Sequence, residues 1–205
     1  MIDIYIVVAL VGGYLFGSVP FALVIGKLFY KKDIRKFGSG NLGASNAGRV
    51  LGPVAGATVT VLDVLKAFFA MLFVWLLTTN PYAILAAGFA ATIGHAFPIF
   101  ANFKGGKSVA TYYGFLLGIA VFLLHNPWVF LVPLALFFTM LKLFKMSSLA
   151  SMTSTVFGAI FSFFFVGDMI YISIALLIVA LFIVYRHKDN IERIKNKTER
   201  KITWM

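Results

Sequence analysis

The sequence predicts an all-α integral membrane protein, a compact bundle of about seven transmembrane helices. Three observations lead to this fold class. Of its 205 residues, 61% are hydrophobic and 12% charged, and the mean hydropathy of +0.95 is too high for a soluble domain. Hydrophobic runs near the ~20 residues needed to cross a bilayer recur along the chain. Basic residues concentrate in every second break between these runs. We therefore treat residues 1–205 as a single multi-span membrane domain.

Seven hydrophobic runs are expected to form the spans, and glycine, proline and polar residues separate them. The runs cover residues 4–29, 51–78, 81–101, 108–124, 127–144, 148–166 and 169–185. Pro20 lies inside the first run, where it is expected to kink the helix. Glycine pairs four residues apart, such as Gly13 and Gly17, predict close helix packing. Asp63 and Lys66 lie three residues apart in the second run, which favours an inward-facing ion pair over a catalytic role.

The distribution of basic residues predicts the orientation of the chain. The first, third and fifth connections and the tail carry lysine and arginine, whereas the second, fourth and sixth carry neither. Because such loops stay in the cytoplasm, the N-terminus is expected outside and the C-terminus inside. The cytoplasmic segments are then the loops near 31–50, 102–108 and 142–148 and the tail 186–205. They account for the net charge of +11, so no nucleic-acid partner is expected.

The first polar loop has the composition of an anion-binding site. Residues 38–46 read GSGNLGASN and contain three glycines and four small hydrogen-bonding side chains. Glycines let backbone N–H groups approach a ligand, side-chain donors add hydrogen bonds, and nearby cations add charge. A flexible solvated loop would have a similar composition. The candidate phosphate-binding residues are Gly38, Ser39, Gly40, Asn41, Gly43, Ser45, Asn46 and Arg49.

A second glycine and lysine cluster, Lys104-Gly105-Gly106-Lys107, precedes the fourth run. It is not a P-loop, because Ala101 stands where the Walker pattern requires glycine. Two lysines and two glycines at the start of a helix nevertheless favour an anion. The cluster is therefore a second candidate phosphate site.

Two histidines and one serine complete the set of candidate site residues. His95 precedes the lysine cluster and is interpreted as structural more readily than as a ligand. His187 follows the seventh run, where we expect it to be solvent-accessible and able to hydrogen-bond a substrate. Ser148 begins the sixth run and either caps the helix or donates to a ligand.

Several types of chemistry lack the residues that they need. The sequence has no cysteine, which excludes thiolate nucleophiles and disulfides. No metal-ligand cluster is evident and no cofactor is expected. Neither a His-x4-Asp dyad nor a Gly-x-Ser-x-Gly elbow is present.

Taken together, the motifs resemble those of the bacterial acyl-phosphate:glycerol-3-phosphate acyltransferases, the PlsY family. The matching segments are GSGN at 38–41, GASN at 43–46 with Arg49, GH at 94–95, FKGGK at 103–107, SLAS at 148–151, RH at 186–187 with Asn190, and TE at 198–199. The chain differs from the family mildly, for example at Ser108, where glycine is common.

The resemblance implies a seven-span fold in the bacterial plasma membrane with the active site on the cytoplasmic face. It also implies transfer of a fatty acyl group from acyl phosphate to the sn-1 hydroxyl of glycerol 3-phosphate, which yields lysophosphatidic acid and inorganic phosphate. The expected partners are glycerol 3-phosphate, fatty acyl phosphate and membrane lipid, with no direct need for coenzyme A or acyl carrier protein.

The shortage of general bases suggests substrate-assisted catalysis by positioning and charge stabilisation, in which a substrate phosphate takes the hydroxyl proton. Ser39, Lys104 and His187 are the expected catalytic residues, with His187 as the best candidate for a protein base. Ser148, His187 and Asn190 are expected to hold glycerol 3-phosphate.

Two other functions share the anion-binding loops. An organic-phosphate transporter should carry polar groups near the midplane of several spans, and only Asp63 and Lys66 fit that requirement. A lipid-phosphate phosphotransferase or phosphatase needs a nucleophile or a metal cluster, which the sequence does not supply.

Overall fold

The computed structural model describes residues 3–202, and every regular element within them is helical. The α-helices are α1 (Ile4–Gly17), α2 (Phe21–Tyr30), α3 (Ala44–Leu51), α4 (Pro53–Leu77), α5 (Pro81–Ala96), α6 (Val109–Gly118), α7 (Trp128–Phe144), α8 (Ser147–Ser162), α9 (Ile170–Arg186) and α10 (Lys188–Lys195). Short 3₁₀ turns occupy Ile34–Lys36 and Ile99–Ala101, and a π-helical segment, Ile119–Leu123, follows α6.

The helices coincide closely with the predicted hydrophobic runs. The stretches Ile4–Tyr30, Pro53–Leu77 and Pro81–Ala101 are long and apolar enough to cross a membrane, and the bent pair α9 and α10 adds a fourth candidate. Val109–Leu123 and Trp128–Phe144 are shorter apolar helices. The chain is therefore an all-α integral membrane protein, whereas the seven spans and the orientation of the termini stay predictions.

The helices divide into two compact units, Met1–Gly118 and Ile119–Met205. In the first unit α4 packs against α1, α2, α3, α5 and α6. Helices α1 and α5 approach closely because glycine faces main chain. A Cβ atom at Gly13 would overlap Ala87, and one at Gly17 would overlap Ala91. The predicted small-residue packing of the first span is confirmed.

Pro20 separates two helices rather than kinking one. Helix α1 ends at Gly17 and α2 begins at Phe21, so the predicted kink is a break of three residues. Proline has no N–H to continue the helical ladder. The Val19 carbonyl at this break accepts a hydrogen bond from the Lys66 ammonium of α4, at 3.2 Å.

In the second unit α8 packs against both α7 and α9. A buried hydrogen bond of 2.7 Å joins the hydroxyls of Ser162 and Ser173 between α8 and α9. At the other end of α8, the Ile202 N–H donates to the Lys145 carbonyl at 2.7 Å. That bond satisfies a carbonyl at the end of α7 and fixes the tail against the helices.

Candidate functional site

The first candidate element is the loop between α2 and α3, and a buried asparagine holds it in shape. The Asn46 side-chain oxygen accepts the Ser39 N–H at 2.8 Å, and its amide nitrogen donates to the carbonyls of Ile34 and Phe37 at 3.1 and 3.3 Å. Asn46 is 2% exposed, and Ile34 and Leu42 anchor the loop in the apolar core. These contacts describe an anchored loop rather than a loose solvated one.

Two glycines give this loop its backbone path. Gly38 and Gly40 have φ values of +63° and +70°, which other residues rarely adopt. A Cβ atom at Gly38 would also overlap the Asn46 side chain, so the loop can pack against this asparagine only with glycine at position 38. The resulting turn leaves Ser39, Ser45 and Arg49 exposed, which is the arrangement required to contact an anion.

The second candidate element is the turn Lys104–Lys107, which lies against the end of α5. The N–H groups of Gly105 and Gly106 donate to the carbonyls of Ala96 and His95 at 3.2 and 3.1 Å. A Cβ atom at Gly105 would overlap the His95 carbonyl, and one at Gly106 would overlap the His95 ring. Both glycines are therefore required by packing, whereas Lys104 is exposed and able to meet a ligand.

A buried charged cluster lies beneath this turn. The Lys66 ammonium is 3.0 Å from Asp63 Oδ1, and His95 Nδ1 is 3.5 Å from the same oxygen. The three residues are 1–6% exposed. The predicted inward-facing ion pair of Asp63 and Lys66 is confirmed, and His95 joins it. Since the ring is buried, direct binding of a phosphate by His95 stays an untested prediction.

In the second unit a carboxylate that was not among the predicted site residues accepts hydrogen bonds from three donors. The Ser148 hydroxyl and the Asn190 amide donate to Glu199 Oε1, each at 2.6 Å, and the Arg193 Nε donates to Oε2 at 2.8 Å. Helices α8 and α10 and the tail thus meet at one acidic group. Ser148 and Asn190, predicted together as substrate ligands, do lie together here.

The hydrogen bonds set the protonation of Glu199. Burial by itself raises the pKa of a carboxyl, but the hydrogen bonds from Ser148, Asn190 and Arg193 stabilise the anion more strongly and lower the pKa of Glu199 below its ordinary value. Glu199 is consequently an anion at neutral pH. It orients the serine and asparagine side chains and offsets the positive charge of Arg193.

His187 links α9 to α10, whose axes differ by 57°. Its Nδ1 is 2.8 Å from the Ile183 carbonyl oxygen. Because a carbonyl only accepts, Nδ1 carries the proton, and in the neutral ring Nε2 is the basic nitrogen. The residue is 4% exposed, so our expectation of a solvent-accessible histidine is wrong. Packing against the end of α9 buries it.

The predicted site residues differ in accessibility. Those at the surface are Gly38, Ser39, Ser45, Arg49 and Lys104. Those of intermediate exposure are Gly40, Asn41, Gly43, Gly105 and Lys107. Those buried are Asn46, His95, Gly106, Ser148, His187 and Asn190. Among residues 3–202, no group of three or more histidine, aspartate or glutamate side chains is arranged to hold a metal ion.

Comparison with known proteins decides the family. Residues 7–197 match the model of the protein family described as glycerol-3-phosphate acyltransferase. The chain belongs to the glycerol-3-phosphate acyltransferase family. A relative of that name from Listeria monocytogenes serovar 1/2a is 48% identical over 194 residues, 94% of each chain, and one from Bacillus subtilis strain 168 is 46% identical over 192 residues, 94% of this chain and 95% of its own.

Solved structures agree with this membership of the PlsY-type acyltransferases. The chain resembles PlsY (YgiH), an integral membrane glycerol 3-phosphate acyltransferase, in its glycerol 3-phosphate form, with a TM-score of 0.85 and 32% identity over 97% of this chain and 96% of that chain. The lysophosphatidic acid form matches with a TM-score of 0.82, the same identity, and 97% and 95% coverage. The predicted family is confirmed.

Proposed function

We propose that this chain transfers a fatty acyl group from acyl phosphate to the sn-1 hydroxyl of glycerol 3-phosphate at the cytoplasmic face of the bacterial plasma membrane. The observation that carries this proposal is the pair of anchored, glycine-rich, cation-bearing segments in the first unit, one at residues 38–49 and one at 104–107. Two such segments suit a reaction whose two substrates both carry phosphate. The family membership and the glycerol 3-phosphate form of PlsY support the choice of acceptor.

The chemistry needs little from the protein beyond positioning. The acceptor hydroxyl oxygen attacks the acyl carbon, the bond from that carbon to the bridging phosphate oxygen breaks, and inorganic phosphate leaves. The hydroxyl proton passes to a substrate phosphate oxygen. Orienting two bound reactants can lower a barrier by roughly 7–11 kcal/mol, and one well-placed donor to a developing anion adds about 3 kcal/mol.

The candidate donors, both exposed and buried, each have a place in this scheme. Ser39, Ser45 and Arg49 are proposed to bind one phosphate group, and Lys104 another. His187, with Nε2 as its basic nitrogen, together with Asn190 and Ser148, is proposed to hold glycerol 3-phosphate. The hydrogen bonds to Glu199 keep the Asn190 and Ser148 side chains in a defined orientation. His187 is the side chain best suited to act as base, should the substrate phosphate not accept the proton.

The test uses purified protein in lipid supplied with palmitoyl phosphate and glycerol 3-phosphate, without coenzyme A or acyl carrier protein. We expect inorganic phosphate and lysophosphatidate to appear in equal amounts, and Lys104→Ala to lower the rate at least about tenfold because a charged hydrogen bond to phosphate is lost. The matched control is Lys142→Ala, which removes an exposed lysine from the end of α7. Absence of product from the wild-type protein would refute the proposal.

The transporter predicts a different result in the same preparation. It would move labelled glycerol 3-phosphate into sealed vesicles without any acyl donor and would release no phosphate. In the described residues, the buried charges of the first unit are engaged with one another and with the Val19 carbonyl. That arrangement favours the acyltransferase.

A further inference from the structure

The cluster of Asp63, Lys66 and His95 has no part in the proposed chemistry, although charged groups so deeply buried are costly to keep. Asp63 is the centre of the cluster, because one of its carboxylate oxygens, Oδ1, contacts both neighbours. The Lys66 ammonium is 3.0 Å from this oxygen, and His95 Nδ1 is 3.5 Å from it. Its two outer members each contact a break in the helical framework.

Lys66 reaches the break between α1 and α2. Its ammonium donates to the Val19 carbonyl at 3.2 Å and lies 5.7 Å from the centre of the Phe21 ring. A positive charge over an aromatic face and on a main-chain carbonyl is stabilised by both. This contact fixes the start of α2, the helix that leads into the loop at 38–49.

His95 reaches the turn at 104–107. Its carbonyl accepts the Gly106 N–H at 3.1 Å, and its ring lies so close to Gly106 that a Cβ atom there would overlap Nε2. Rotation of the ring would therefore displace the turn that carries Lys104. Asp63, by its contact with Nδ1, restrains the ring from the side of α4.

We propose that Asp63 is a positioning residue, which sets the place of the Lys104–Lys107 turn through the His95 ring and thereby sets the affinity of that turn for a substrate phosphate. The inference rests on the proposed function. The proposal predicts an effect on KM rather than on kcat. A turn that binds the phosphate group equally in the ground and transition states affects KM and leaves kcat nearly unchanged.

The experiment compares Asp63→Asn with Lys104→Ala, using separate KM measurements for glycerol 3-phosphate and for palmitoyl phosphate. Lys104→Ala identifies which substrate the turn binds. We expect Asp63→Asn to raise the same KM by about tenfold, to leave the other KM within about twofold, and to leave kcat within about threefold, as displacement of a binding group predicts.

Asp63→Asn leaves the Lys66 charge without an anionic partner, so folding is addressed by a second variant. The double change Asp63→Asn with Lys66→Met removes both charges and is expected to recover part of the loss in thermal midpoint, although the contact with the Val19 carbonyl is lost as well. It should keep the raised KM, because His95 still lacks its carboxylate. The control is Asn80→Ala, which breaks the Asn80 to Asp3 hydrogen bond at the opposite end of the same α1 and α5 pair, about 22 Å along α5 from His95.

The outcomes are separable. A raised KM in both Asp63 variants, matching Lys104→Ala and absent from Asn80→Ala, supports the positioning role. Two results would overturn it. The first is unchanged KM values in a folded, active Asp63 variant. The second is an equal rise of the KM values for both substrates in Asp63→Asn and in Asn80→Ala. Failure of the wild-type protein to transfer an acyl group refutes the proposed function instead and is seen before any variant is measured.

Discussion

Ser108, at the start of α6, holds a left-handed backbone with φ of +61°, although it is not glycine. Its hydroxyl donates to the Thr92 carbonyl at 2.7 Å in the interior of the first unit. The strain of about 1–2 kcal/mol and the hydrogen bond of about 1 kcal/mol act in opposite directions. This balance explains how serine is accommodated at a position where the family resemblance led us to expect glycine.

The balance predicts an order of stability. Ser108→Ala keeps the strained backbone and loses the bond, so we expect a loss of about 1 kcal/mol. Ser108→Gly loses the bond but relieves the strain, so it should lie within about 0.5 kcal/mol of wild type. Thermal unfolding in one detergent measures both. Ser108→Gly as the less stable of the two variants would contradict the account.

Glu199 predicts a pH dependence. Because its folded-state pKa lies below the ordinary 4.5, its stabilising contribution is fully present above that pH and is lost as the pH falls through the folded-state value. We expect wild type to unfold at a higher temperature than Glu199→Gln at pH 7, with the difference shrinking below about pH 4.

The control for this measurement is Glu192→Gln, which neutralises an exposed carboxylate on the adjoining helix α10. We expect the unfolding temperature of this variant to differ little from that of wild type, and this small difference should not depend on Glu199. A Glu199→Gln difference that stays constant down to pH 3, about a unit or more below the ordinary value, would show that the carboxylate is not held as an anion in this way.

At the scale of single residues, the sequence predicted candidate anion-binding segments more readily than it predicted which side chains within them are exposed. Ser39 and Asn46 belong to the same polar run and suit the same role by composition. Only the folded loop shows that Ser39 is exposed while the amide of Asn46 is hydrogen-bonded to the loop main chain. Glu199 was recognised as part of a motif, but its contacts span 51 and 9 positions to Ser148 and Asn190, which local spacing does not reveal.

Among the elements, the contact between α1 and α5 depends on the absence of side chains. Gly13 and Gly17 face the main chain of α5, and Gly94 of α5 faces the Tyr14 carbonyl in return. Close approach of two helices in a membrane gains packing energy that lipid-facing leucines do not supply. Helix α5 also carries His95, so this contact helps to position the turn at 104–107.

The two faces of α1 predict opposite results for the same substitution. Gly17→Ala would place Cβ against the main chain of Ala91, which cannot move aside as a side chain does, so we expect a loss of about 2 kcal/mol or more. Gly12→Ala has nothing within 4 Å of its Cβ and should be neutral or stabilise by up to about 1 kcal/mol. Equal thermal midpoints for the two variants would contradict this packing.

The elements themselves were largely predictable, because long apolar runs bounded by proline, glycine and lysine admit few alternatives in a bilayer. The second predicted run, 51–78, corresponds to Pro53–Leu77, and the fifth, 127–144, to Trp128–Phe144. The division of the first run at Pro20 was expected only as a kink. Its extent depends on Lys66, 47 positions away, whose ammonium stabilises the Val19 carbonyl.

For the molecule as a whole, the proposed reaction depends on the groups that the protein contains and on the groups that the proposed substrates carry. The described part of the chain offers two anchored loops with the composition of an anion site, and a polar cluster around Glu199. An acyl phosphate carries its own activated carbonyl and its own leaving group. Positioning by the protein then suffices for acyl transfer. The family membership and the chemistry of the loops point to the same acceptor, glycerol 3-phosphate.

In the proposed reaction the nucleophile attacks the acyl carbon rather than the phosphorus, and oxygen isotope labelling distinguishes these two sites of attack. Palmitoyl phosphate carrying ¹⁸O at the bridging position is incubated with glycerol 3-phosphate and the protein in lipid, and the products are analysed by mass spectrometry. We predict label in the inorganic phosphate and none in the lysophosphatidate. Label retained in free palmitate, together with phosphate transferred to the acceptor, would contradict the account.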